Sequence, residues 1–134
     1  MRNILAAAIV VVLSAGGYAA DAVPDGEWAV QIRPNPANKL KGTTQPYDDV
    51  VTIKGGKMTT KVSAQYGFPE GPCTIKTENG HKLIVAEMKD DKHGSNLFTL
   101  EVKGKAVAGT LKWSKVGEDG KPKQADYTVT GAAK

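Results

Sequence analysis

From residue 27 onward the chain alternates apolar and polar positions in short runs. "EWAVQIRP" (27–34) sets Trp28, Val30 and Ile32 against Glu27, Ala29 and Gln31. A period of two sends such residues to opposite faces of a strand. Similar runs follow at 48–54, 57–67, 72–78, 81–89, 96–103, 105–116 and 124–132. No sustained spacing of three and four occurs, so no long amphipathic helix is expected. Alternation names an inner set: Trp28, Val30, Ile32, Val51, Ile53, Met58, Thr60, Val62, Val107, Gly109, Leu111, Trp113, Tyr127 and Val129. Two runs carry competing phases. Ile84, Ala86 and Met88 compete with Leu83 and Val85, and Phe98 and Leu100 compete with Leu97. Either both faces are partly covered there or a bulge shifts the phase.

The links between runs are short. "GG" at 55–56, "NG" at 79–80 and "KG" at 103–104 are tight hairpin signals, because two-residue turns need residues that accept positive φ. "DDKHGS" (90–95) and "GEDGKP" (117–122) read as slightly longer polar turns, and "FPEGP" (68–72) as a rigid connection. Short links join antiparallel neighbours. Eight such strands predict an all-β, antiparallel up-and-down barrel, which removes the sheet edges; a two-sheet β-sandwich is the alternative. One connection is out of scale. Residues 35–47, "NPANKLKGTTQPY", show no strand pattern, and loops of that length in compact domains are commonly functional or mobile.

The N-terminus has a different pattern. Arg2, the apolar "ILAAAIVVVL" and the small residues of "SAGGYA" form the n, h and c regions of a secretory signal peptide. Cleavage after Ala19 places Gly17 and Ala19 at the two small-residue positions. The expected organisation is a leader over 1–19 and one domain over 20–134. No Cys follows the apolar run to carry a lipid anchor, and no second apolar segment is long enough to span a bilayer. The outward strand positions include Lys112, Asp126 and several Thr, which does not suit a lipid-facing barrel. The expected location is periplasmic or secreted.

Charge and cysteine narrow the chemistry. The formal net charge is +4, and the cationic residues are almost all Lys, interleaved with acids. Nucleic-acid binding favours clustered Arg and Lys, so no nucleic-acid partner is expected. Scattered Lys suits solvated strand faces and guarded edges. The lone cysteine, Cys73, cannot form an intrachain disulfide and reads as a small buried apolar residue. The tightest polar cluster, Asp90, Asp91, His93 and Ser95, falls on a hairpin tip and reads as a solvated turn. No nucleophile–base pair or carboxylate pair is evident, so the chain is read as non-enzymatic, with no cofactor and no metal site.

"DGEW" adds a motif. A Gly-x-Trp step at the start of the first strand (Gly26, Glu27, Trp28), a long first loop and an eight-stranded meander together resemble the lipocalin (calycin) group, in the style of small exported bacterial barrels. The resemblance implies that Trp28 plugs one end of the barrel, that a basic side chain from the end of the last strand packs across it, and that 35–47 forms a lid at the other end. Lys134 is the candidate for that basic partner.

Two functions follow from different classes. A binding protein would hold a small apolar or amphipathic ligand inside the barrel, against Val30, Ile53, Met58, Val62, Phe98, Leu111, Trp113 and Tyr127. A protein-interaction module, such as an envelope protease inhibitor or surface-assembly factor, would instead use a filled barrel and contact an envelope protein through 35–47 and "FPEGP". A cavity of a few hundred Å³ separates the two.

Overall fold

The computed structural model describes residues 23–134. The expected leader and its expected cleavage point lie outside the described residues. Eight strands follow in chain order: β1 (Gly26–Pro34), β2 (Tyr47–Lys54), β3 (Lys57–Thr60), β4 (Gly71–Glu78), β5 (His81–Asp90), β6 (Gly94–Lys103), β7 (Ala106–Val116) and β8 (Pro122–Ala133). Each pairs antiparallel with the next, and β8 closes on β1. The architecture is the closed up-and-down barrel, not the sandwich. It is compatible with a lipocalin-like fold. Among the described residues no helix is long and apolar enough to cross a membrane.

Val62 apart, the inner set is the one alternation selects. Trp28, Val30, Ile32, Val51, Ile53, Met58, Val107, Leu111, Tyr127 and Val129 are buried in one core. The competing phases resolve toward Ile84, Ala86, Met88, Phe98 and Leu100. Leu83, Val85 and Leu97 are half-buried on the outer face, so both faces are covered to some degree. The β5–β6 register runs unbroken from Leu83↔Glu101 to Asp90↔Gly94, so no bulge shifts the phase.

One expected strand is shorter than its pattern. The run 57–67 is strand only to Thr60; a helix, α1 (Lys61–Gln65), replaces the rest. Thr60 is its N-cap: the hydroxyl accepts the Ser63 N–H at 3.0 Å, which satisfies one of the donors a helix start leaves open. Gly67 follows at φ 88° with its N–H on the Ala64 carbonyl, the left-handed stop common after helices.

The two barrel ends differ. At one, Trp28 sits near the start of β1, beside two-residue turns at 55–56, 79–80 and 104–105. Asn79 has φ 53° there, as the Asn-Gly turn requires. At the other end lie the connection 35–46, α1 with 66–70, the turn 91–93 and the connection 117–121.

Candidate functional site

The eight residues expected to line a ligand chamber divide three ways. Val30, Ile53, Met58, Phe98, Leu111 and Tyr127 point inward and keep only 0–8% of their accessible surface. A chamber of a few hundred Å³ would leave its walls accessible to a water-sized sphere. These side chains touch each other instead, so the interior they share is a packed core. Trp113 faces inward but is half-buried, and its indole N–H donates to the His93 carbonyl at 2.8 Å. Val62 is the correction. It lies on α1, outside the core, because the helix breaks the alternation after Thr60; Ser63 takes the buried position.

At the opposite end Trp28 is buried as expected, but Lys134 does not supply the basic partner. Trp28 is opposite Ala133 in the β1–β8 register, and the Lys134 N–H donates to the Glu27 carbonyl at 3.0 Å. Lys134 is therefore paired with Glu27, which points outward, and its ammonium lies 3.6 Å from the Glu27 carboxylate in solvent.

The polar and aromatic groups that alternation did not absorb gather at the loop end. Asp49 occupies an inward position of β2 and is buried. Its Oδ1 accepts the Val62 N–H at 2.9 Å and the Val50 N–H at 2.8 Å. A carboxylate from one strand thus holds the first turn of α1 in place. Asn96, also buried, donates from Nδ2 to the Ser63 hydroxyl at 3.1 Å, which fastens the same helix to β6. Past α1, Phe68 turns inward, its N–H on the Ser63 carbonyl. The ring of Phe68 lies 5.9 Å from that of His93, and Tyr66 lies 6.2 Å from His93. Tyr66 itself is 61% exposed.

Tyr47 and Tyr127 close this end from the other side, edge to face with centroids 6.2 Å apart. Burial raises the phenol pKa of both. The Asp49 charge adds to the rise at Tyr47, and Tyr66 adds at both. Neither phenol is poised to ionise near neutral pH. His93 and Asp90 form a local pair in the 91–93 turn: the Asp90 carboxylate takes both the backbone N–H and the ring Nδ1 of His93. That hydrogen bond holds Asp90 below the usual carboxylate range. The cluster shapes a turn, and among the described residues no three His, Cys, Asp or Glu side chains come together to hold a metal ion.

The long connection is pinned. Asn38 donates from Nδ2 to the Thr43 and Asp126 carbonyls at 3.0 and 2.9 Å, and its Oδ1 accepts the Asp126 N–H at 3.1 Å. Asn35 adds a backbone bond to Asp126 at 2.8 Å. Two concavities are open to solvent. One is a groove of about 600 Å³ on the outer wall of β8, β1 and β2, where the small Ala29 and Ala132 lie between Gln31, Val50 and Lys61. The other lies against Lys115, Glu118 and Lys123 at the β7–β8 connection.

Asp49, Asn96 and Asn38 are the organising residues that sequence reasoning missed. A Thr at 60 with a Gly at 67 was the available signal for a helix between them. The partners of Asp49 and Asn38 are distant in sequence and leave no local pattern. Comparison with protein-family models, with curated proteins and with solved structures finds no match.

Proposed function

We propose that the chain is an exported, non-enzymatic protein-interaction module carried on a lipocalin-like barrel. The filled interior carries this reading: the side chains that would line a ligand chamber are a core with 0–8% residual exposure. Function then falls to the outside. The loop end offers a firm surface, because Asn38 ties 35–46 to β8 and Asp49 ties α1 to β2. On that surface Tyr66 presents an exposed ring against His93, a residue type common at interface hot spots. The leader pattern at 1–19 supports an envelope partner.

A second reading rests on one observation. Tyr127, only 8% exposed, packs edge to face on Tyr47 at the loop end, and no side-chain hydrogen bond of its hydroxyl is seen among the described residues. A buried phenol usually finds one, and a small amphipathic ligand entering at the loop end could supply it.

Native mass spectrometry of the chain purified without denaturation, combined with a photo-crosslinker at position 66 in the producing cell, tests the proposal. A bare chain mass and one discrete cross-linked protein are expected. An added mass of a few hundred daltons that leaves on denaturation would overturn it in favour of a carrier.

A further inference from the structure

β4 outruns its neighbour. β3 meets it only at Lys57↔Pro72 and Met58↔Gly71, and the Cys73 N–H adds one bond to the Gly56 carbonyl at 2.8 Å. Beyond Cys73, β4 continues to Glu78 with β5 as its only strand partner. The β4–β5 hairpin therefore stands past the β2–β3 hairpin at the Trp28 end.

Parity identifies the free groups. In an antiparallel pair, alternate residues turn both N–H and C=O to the same side. Cys73 turns its N–H toward β3, so Ile75 and Thr77 do the same. The two-residue turn at 79–80 makes Glu78 and His81 the hydrogen-bonded pair that closes the hairpin. That sends Glu78, Lys76 and Thr74 toward β5, in agreement. Ile75 and Thr77 are left with outward N–H and C=O groups that no strand meets among the described residues. Such a row fits an extended chain.

The side chains select which chain. Lys76 and Glu78 flank Thr77, both more than half exposed, with Nζ 3.1 Å from Oε2. A second copy of this edge, laid antiparallel, can be centred on Ile75, Lys76 or Thr77. Centring on Ile75 puts Glu78 opposite Pro72 of the other copy, a place β3 already holds. Centring on Lys76 sets like charges face to face, which is unfavourable. Centring on Thr77 clears β3 and places each Lys76 opposite the other copy's Glu78, twice by symmetry. These are non-hydrogen-bonded positions, where facing side chains are closest.

We infer that the chain pairs with a second copy of itself through the β4 edge, antiparallel about Thr77, with reciprocal Lys76–Glu78 ion pairs. The pairing uses the barrel end opposite to the loop surface, so it stands or falls independently of the protein-partner reading.

Sedimentation velocity on the purified chain tests it. The mean mass should rise toward twice the chain mass with concentration, and fall back with added salt, which screens exposed pairs. Lys76→Glu and Glu78→Lys should each stay monomeric at concentrations where the unaltered chain is half dimeric. An equimolar mixture of the two variants should regain the dimer, because opposite charges again face each other; a misfolded variant could not do this. Thr77→Pro, which removes an edge N–H without touching the β5 ladder, should also be monomeric. An unaltered chain that remains monomeric to near-millimolar concentration would overturn the inference. So would a Lys76→Glu variant that dimerises as well as the unaltered chain, or protection of the Ile75 and Thr77 amides from exchange by a different protein alone.

Discussion

The indole of Trp28 lies over the backbone of Gly26, so closely that a β-carbon there would stand 2.9 Å from Cη2 and 3.2 Å from Cζ2. Residues two apart on a strand share a face. The bare α-carbon of Gly26 is the space into which the buried ring folds. The Gly-x-Trp step is thus one packing unit. Trp28→Ala is expected to destabilise by about 3–5 kcal/mol, the range for a large buried aromatic. Gly26→Ala should cost about 1–3 kcal/mol through overpacking. Urea denaturation reads both, and an unchanged midpoint for Trp28→Ala would remove the plug role.

Asp49 holds α1 from another strand, and the helix is too short to hold itself. Asp49→Ala strands the Val62 N–H and should destabilise by about 1–3 kcal/mol, the cost of an unsatisfied buried donor. Asp49→Asn keeps an acceptor oxygen and should recover most of that loss. Hydrogen exchange separates a local effect from a global one: in Asp49→Ala the amides of Val62 and Ser63 should exchange faster than those of β7.

Asn38 does for the long connection what a strand residue does for a ladder, since its side-chain amide meets both backbone groups of Asp126. Asn38→Ala should cost about 1–2 kcal/mol for the lost hydrogen bonds. It should also make 35–46 the first site of limited proteolysis. Equal cutting rates in variant and parent would show that the prolines, not Asn38, hold the loop.

Cys73 is half-buried, and its burial pushes the thiol pKa up to about 11. The thiolate is the reactive form, so at pH 8 roughly a thousandth of the folded population would carry it. Alkylation should be slow near neutrality and accelerate as pH rises toward 11. Unfolding in urea should speed it at pH 8, because the exposed thiol returns to its ordinary range. Rapid labelling of the native chain at pH 7 would contradict the assignment.

How much of this was legible in the sequence depends on how local the cause was. Alternation placed Val30, Ile53 and Leu111 correctly, because a strand's faces are set by its own period of two. It failed at Val62, which continues the rhythm of Met58 and Thr60 but sits on a helix capped by Thr60 and held by Asp49 from β2. Lys134 is a different case: the resemblance, not alternation, put it across Trp28, whereas the same parity that turns Tyr127 and Val129 inward turns Lys134 out, toward Glu27. Alternation also says which residues face inward without saying whether their volumes fill the space. The choice between chamber and core was therefore open until Phe98, Met58 and Met88 were seen packed at zero exposure.

The closing pair of strands sets a condition on how the molecule is made. Seven of its pairings join neighbours along the chain and can form as soon as each hairpin is complete. The eighth joins β1 to β8. Until β8 pairs with it, β1 has one bare edge and the barrel is not closed around its core. Closure of the barrel therefore waits on the last strand of the chain to be made. Any agent that keeps β8 extended keeps the whole barrel from locking.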